Sequence, residues 1–363
     1  MSFNQALLLI LVVNCFISEA AFANKISVDG AIFKSLSAAK HAIHKGSHIY
    51  LFAGVFEQGI YLDQDDIEII GEKGVVFDNA AVDEKAALVL TGNNVLVENI
   101  ECRNIQVSDK NGACIRFEGS NLTIRNLYAH DSQSGVMTSD NAGIVKIEYS
   151  TFERLGGKAQ GEGYAHGMYI KADELFFFKS KILSTKGEGS GIKSRSKKVV
   201  IESSLLASMD AKDSRLVDMA NYGELIIKNS ILQQGSHTSN SQLLAYGLET
   251  NITSEFEVNR VELVNNIIFF DNSKSNVLIS YRLADEIINS DNIFIGYFNL
   301  YLKFINNNMW YKSRKRAHIP AYPFIPQIDQ IKNLRLSIHT HGVSENESSG
   351  NLIKHILRTI NEN

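Results

Sequence analysis

The chain has 363 residues, 44% hydrophobic and 21% charged, with a formal net charge of −4 and a pI near 6.2. That mildly acidic balance leaves no electrostatic footprint for nucleic acid. Only three prolines are present, which argues against proline-rich linkers and for one elongated domain rather than a string of modules.

Ala6 to Val13 is an apolar run too short to span a bilayer, and Ala21-Phe22-Ala23 supplies a small-x-small cleavage pattern. Residues 1–23 are therefore expected to be a signal peptide, although Met1 to Gln5 carries no Lys or Arg. Val12-Val13-Asn14-Cys15 approaches a lipoprotein box, but Asn14 stands where a small residue is needed. The mature protein is expected to be exported, periplasmic or secreted, with no transmembrane segment after cleavage.

Lys34 to Lys45 places Leu36, Ala39 and Ile43 at helical spacing before a Gly46 stop, which predicts a helix capping the first coil. Short strands follow from Ser47 to Phe52, through Ile60 and Leu62, and at Ile67 and Val75. One pattern then recurs: alternating apolar residues, a small or Asn-containing turn, and a second apolar run. It starts at residues 95, 122, 145, 175, 199, 225 and 261, in steps of 27, 23, 30, 24, 26 and 36. Irregular periods in the twenties, built only of short strands, indicate a solenoid. The fold class is all-β, a right-handed parallel β-helix with an N-terminal capping helix, over residues 24–292. Residues 293–363 are expected to form a C-terminal cap and polar tail, with a short helix over 351–360.

Asn99, Asn126, Asn229 and Asn265 occupy comparable places in their repeats and are expected to stack inward. Cys102 and Cys114 could pair in an oxidising compartment, closing a loop of about a dozen residues. The preferred reading is two buried small residues on adjacent strands.

One strand per coil carries unusual residues: CIRFEG from Cys114, HGMYIK from His166, GIKSRS from Gly191, LVDMAN from Leu216 and LLAYGL from Leu243. Alternation sends Ile115, Met168, Ile192, Val217 and Ala245 inward, and Arg116, Tyr169, Lys193, Asp218 and Tyr246 outward. A second outward column holds Glu118, Lys171 and Arg195, and His166 lies at the near end of the Tyr169 strand. Gly-rich loops at Gly156–Gly163 and Gly187–Gly191 flank these strands. Polar outward residues are also what any β-helix needs, and Lys-Asp neighbours are often plain cross-strand pairs.

A row of cations, Tyr and His at about 4.8 Å suits an extended anionic sugar chain. β-Elimination of a uronate needs a cation for the carboxylate, a base for the C5 proton and an acid for the leaving oxygen. Lys193 is the expected base, if neighbouring positive charge lowers its proton affinity, with Tyr169, His166 and Arg195 as acid and clamps. Arg116, Lys171, Asp218 and Tyr246 are expected to bind substrate. Hydrolysis calls for paired carboxylates, and Asp218 with the loop acids Glu162, Glu188, Asp210 and Asp213 makes the poorer fit. A non-catalytic glycan-binding or surface structural role is the alternative.

The repeat and the phrases AHGMYIK, GSGIKSRS, VDMANYG and LLAYGLE resemble a group of secreted bacterial right-handed parallel β-helix proteins of the pectate-lyase-like superfamily. Family members commonly show GHNIYI and GHNIKSRA, so His166, Tyr169, Lys193 and Arg195 match and Gly167 departs. The group has no settled activity, so the resemblance implies a fold more than a reaction. The chondroitinase and alginate lyase branch is similar in its Lys-Ser dipeptide, matched by Lys193-Ser194. That branch places an Arg acid where this chain offers Asp218, and its acidic calcium cluster has no counterpart. No cofactor is expected, with calcium left open because the sequence offers no clear site for it. The partner is a polysaccharide, and the protein is expected to be a monomer.

Overall fold

The structure is a computed structural model that describes residues 24–158, 163–250, 254, 256–272, 276–298 and 307–341. The expected signal peptide and the expected helix over 351–360 lie outside the described residues. Alternating side chains decide which face of each strand turns inward. Val97, Ile124, Ile147, Phe177, Ile201, Ile227 and Leu263 stand opposite one another on successive parallel strands. All seven are fully buried, so each coil gives one rung to a continuous apolar column. The molecule is a parallel β-helix.

Among the described residues, one wall of the coils is a nine-stranded parallel sheet running from Ile60–Leu62 to Val277–Tyr281. Two further walls merge into a single sheet because strands such as Val95–Arg103 and Leu122–His130 turn the corner without a break. The corner residues take left-handed backbone angles, with φ of 58° at Asn99, 50° at Asn126, 52° at Asn229 and 59° at Asn265.

These asparagines bond in pairs: Asn126 Nδ2 donates to Asn99 Oδ1 at 2.7 Å and Asn265 Nδ2 to Asn229 Oδ1 at 2.5 Å. Contrary to expectation they lie at the surface, with Asn126 exposed. The inward polar ladder lies one residue later. The Ser180, Ser204 and Ser230 hydroxyls accept from the backbone N–H of Ser150, Ser180 and Ser204 at 3.0, 3.2 and 3.1 Å. Asn266, Asn292 and Asn308 extend it, their side-chain oxygens accepting from the next N–H groups at 2.8–2.9 Å.

The first coil is closed by an antiparallel hairpin, Ile26–Val28 with Ala31–Phe33, that pairs with His48–Leu51. The capping helix is shorter than expected: an α-turn over Leu36–Ala39, with Ser35 as N-cap, then a 3₁₀ turn over Lys40–Ala42. Leu36, Ala39 and Ile43 are buried as their spacing demanded. Cys102 and Cys114 form a disulfide, with Cα atoms 5.8 Å apart, where unpaired thiols were preferred. Both point into the same corner of the core, which brings the sulfurs together.

Beyond Ser290 the coil pattern continues through strands Ile293–Gly296 and Met309–Tyr311. A helix over Ile331–His341 then packs Ile331 and Ile338 against the outside of the wall formed by Leu205, Ile231, Ile267, Phe269 and Ile295.

Candidate functional site

On the nine-stranded sheet the outward positions read, in register, Arg116, Met137, Tyr169, Lys193, Asp218, Ala245 and Ser280. The strand Ser134–Thr138 inserts Met137 between Arg116 and Tyr169, separating them by about 10 Å, two parallel spacings. Arg116 bonds instead to Glu118 at 3.0 Å, a carboxylate shared with Lys85, away from the central cluster.

Tyr246 corrects the expectation directly. Register aligns it with Met219, not Asp218, so its ring points into the core and is fully buried, while Ala245 takes the outward place. Its hydroxyl donates to the Gly223 carbonyl and its ring meets Tyr222 edge-on at 5.6 Å. Tyr246 is thus a packing residue and does not reach a ligand on this face.

The other expected residues converge. Arg195 spreads its guanidinium over three partners: Nε donates to the Tyr169 hydroxyl oxygen at 2.7 Å, Nη1 to Asn221 Oδ1, and Nη2 to Glu249 Oε2 at 2.6 Å. Lys193 Nζ donates to the other oxygen of Glu249. One carboxylate therefore bridges the two cations. Burial alone would raise the Glu249 carboxyl, but the hydrogen bonds and charges of Lys193 and Arg195 outweigh it and hold it below the usual range. Lys193 was expected to face positive charge, yet the charge bonded to it is this negative one.

His166 Nδ1 accepts the backbone N–H of Ser190 at 3.0 Å, and its ring lies 6.2 Å from that of Tyr169. Burial, then the charges of Lys193 and Arg195, push its pKa down to about 3, so it is a neutral imidazole with its proton on Nε2. Lys171 Nζ pairs with Asp140 at 2.7 Å and stands 5.7 Å from the Tyr169 ring centroid. Asp218 is only 4% exposed. Among the described residues its Oδ1 has no hydrogen-bond partner, and the Arg215 guanidinium is 3.7 Å from Oδ2. Burial raises its pKa despite Lys193 and Arg215.

Of the loop acids, Glu162 lies outside the described residues, as does part of the Gly156–Gly163 loop. Glu188 pairs with Lys212, Asp210 accepts the Tyr322 hydroxyl at 2.5 Å, and Asp213 is buried beneath Thr238.

Glu249 and Asn221 were missed. The signal for Glu249 was the 36-residue step between Leu225 and Val261, the longest in the chain. The extra residues leave the coil at Gly247, where φ is +66° and the Tyr222 ring leaves no room for a Cβ. Two residues later Glu249 returns over Lys193 and Arg195, 56 and 54 positions away. The same insertion supplies Phe256 to a cleft of about 350 Å³ lined also by Asp140, Lys171, Arg195, Lys197 and Asn221. Its volume is at the lower end of ligand pockets.

The family model described as a right handed beta helix region matches residues 45–206. The fold is a right-handed parallel β-helix. Within solved structures, this β-helix is similar to an ORF18 protein of Geobacillus virus E2, at 9% identity and TM-score 0.51, covering 76% of this chain and 57% of that one. It is also similar to pectate lyase Pel9A, at 16% identity and TM-score 0.49, covering 77% and 72%. The PL6 family alginate lyase AlyGC follows at 13% identity and TM-score 0.40, covering 75% and 52%. The chain thus spans little more than half the length of the first and last of these. At such identities the likeness is one of fold. No curated protein matches the β-helix in sequence. Among the described residues no cluster of three or more His, Cys, Asp or Glu is placed to hold a metal ion.

Proposed function

We propose that the protein is an exported polysaccharide lyase acting on an anionic, uronate-containing glycan laid along the Tyr169–Lys193 face. The observation that carries this reading is the carboxylate held between Lys193 and Arg195, with the Tyr169 hydroxyl bonded to the same guanidinium. A uronate carboxylate held there is neutralised as its α-carbon loses a proton, which is the charge that β-elimination must stabilise. Arg195 keeps hold of the carboxylate while Lys193, as the free amine left once its ammonium proton has passed to solvent, takes the C5 proton. The electrons form the C4–C5 double bond as the C4–O bond breaks, and the Tyr169 hydroxyl protonates the leaving oxygen. Neutral His166 supports the Tyr169 edge without adding charge. In the free protein the Lys193 Nζ donates to Glu249, so proton abstraction requires that contact to open and the Lys193 ammonium to release a proton to solvent.

The test is turnover on a panel of anionic glycans, followed by ultraviolet absorbance of the unsaturated product. Lys193→Ala is expected to lower the rate by roughly 10²- to 10⁴-fold, a larger loss than the weakening of binding measured on the same glycan. Absence of unsaturated product from the wild type on every uronate polymer would remove the lyase reading.

One observation favours a second reading. Asp218, buried with a raised pKa, and ionised Glu249 both border Lys193, and acids driven apart in this way are what glycoside hydrolysis uses. Hydrolysis produces new reducing ends with no gain in absorbance. Binding without either product points to a non-catalytic glycan-binding protein.

A further inference from the structure

We propose that Lys193 and Arg195 form a subsite for a single carboxylate of the glycan, and that Glu249 fills it in the free protein as an internal competitor. The inference rests on reading this face as a glycan site. The two oxygens of Glu249 reach two different cations, one an ammonium and one a guanidinium, as a bound uronate carboxylate would. The neighbouring cations are matched elsewhere: Lys171 by Asp140 and Lys197 by Asp173. Glu249 is therefore the acid that neutralises this pair.

Glu249 does not belong to the coil ladder. It stands on the insertion that begins at Gly247, and its side chain is 37% exposed, whereas Lys193 beneath it is 14% exposed. Rotation of one side chain vacates the subsite without unpairing a strand. A tethered carboxylate competes at an effective concentration in the millimolar range. A lone uronate therefore binds weakly, and a chain that also fills the adjoining cleft, against Lys171 and Phe256, displaces Glu249. Glu249 thus selects polymeric over monomeric acids.

The experiment is calorimetric titration of the wild type, Glu249→Gln and Glu249→Ala with short oligogalacturonate, oligomannuronate and oligoglucuronate, and with neutral oligosaccharides of equal length. Both variants are expected to bind at least one acidic oligosaccharide about tenfold or more tightly than the wild type does. Neutral ligands are expected to be unchanged, and the gain is expected to vanish when Lys193→Ala is added. Unchanged or weaker acidic affinity in folded variants overturns the proposal, as does an equal gain for neutral ligands or binding of no acid at all. If the variants gain acidic affinity while no protein yields unsaturated product, the lyase reading fails and the subsite stands.

Discussion

At the scale of single residues, burial separates acids and bases that look alike in sequence. Asp213 and Asp218 lie five positions apart, yet Asp218 borders Lys193, while Asp213 lies off the cluster with 1% exposure. Burial raises the Asp213 carboxyl to about 6. A folded-state value above the unfolded 3.8 means that stability from this group is complete below about pH 4 and is lost as pH rises through about 6. Asp213→Asn is accordingly expected to stabilise the protein by on the order of 2 kcal/mol at pH 7.5 and by little at pH 4, read from thermal melts at the two pH values. Tyr169 and Lys193 were legible because each belongs to a strand whose alternation is clear, with His166 and Arg195 just outside the ends of those strands. Tyr246 was not, because sliding a strand by one residue exchanges its two faces and nothing in LLAYGL marks the register.

At the scale of elements, coils are held by their backbone ladders, by the inner apolar rung and, along the serine ladder, by a buried side-chain bond to the next coil. Ser204 shows the second: its hydroxyl accepts the Ser180 N–H at 3.2 Å and donates to the Glu202 carbonyl at 2.8 Å, with no exposure. Ser204→Ala leaves a buried donor without its partner and is expected to cost about 1–3 kcal/mol in urea unfolding. The repeat pattern announced these coils because alternation and turn residues are local properties. It did not announce which polar residue turns inward, since Asn at the left-handed position and Ser or Asn just after it satisfy the same composition. The 30- and 36-residue steps were visible as lengths, but where their extra chain lands depends on the coils it crosses.

At the scale of the whole molecule, the third wall changes character along the rod. Its outward residues are charged near Glu101, Arg103 and Glu153 and apolar from Leu205 onward, where the tail segment covers them. Runs such as Ile267–Phe270, buried on both faces, lack alternation for that reason. Arg314 anchors the tail: it pairs with Asp271 at 2.7 Å, both less than a tenth exposed, and lies 4.3 Å from the Phe269 ring centroid. Arg314→Met strands a buried carboxylate and is expected to cost about 3–5 kcal/mol, with earlier proteolysis of residues after Tyr311. Arg314→Met with Asp271→Leu is expected to recover most of that loss. Within the basic run Lys312-Ser313-Arg314-Lys315-Arg316, Arg314 is thus an internal ion-pair partner rather than part of a free surface.

The solenoid and the shared outward face of Tyr169, Lys193 and Asp218 followed from the sequence alone, because a strand's two faces are set by its own alternation. The disulfide, the inward turn of Tyr246, the covered wall and the placing of Glu249 across two cations were decided by the tertiary structure. Each depends on which coil stacks on which and in what register, and residues more than fifty positions apart meet only once that stacking is complete.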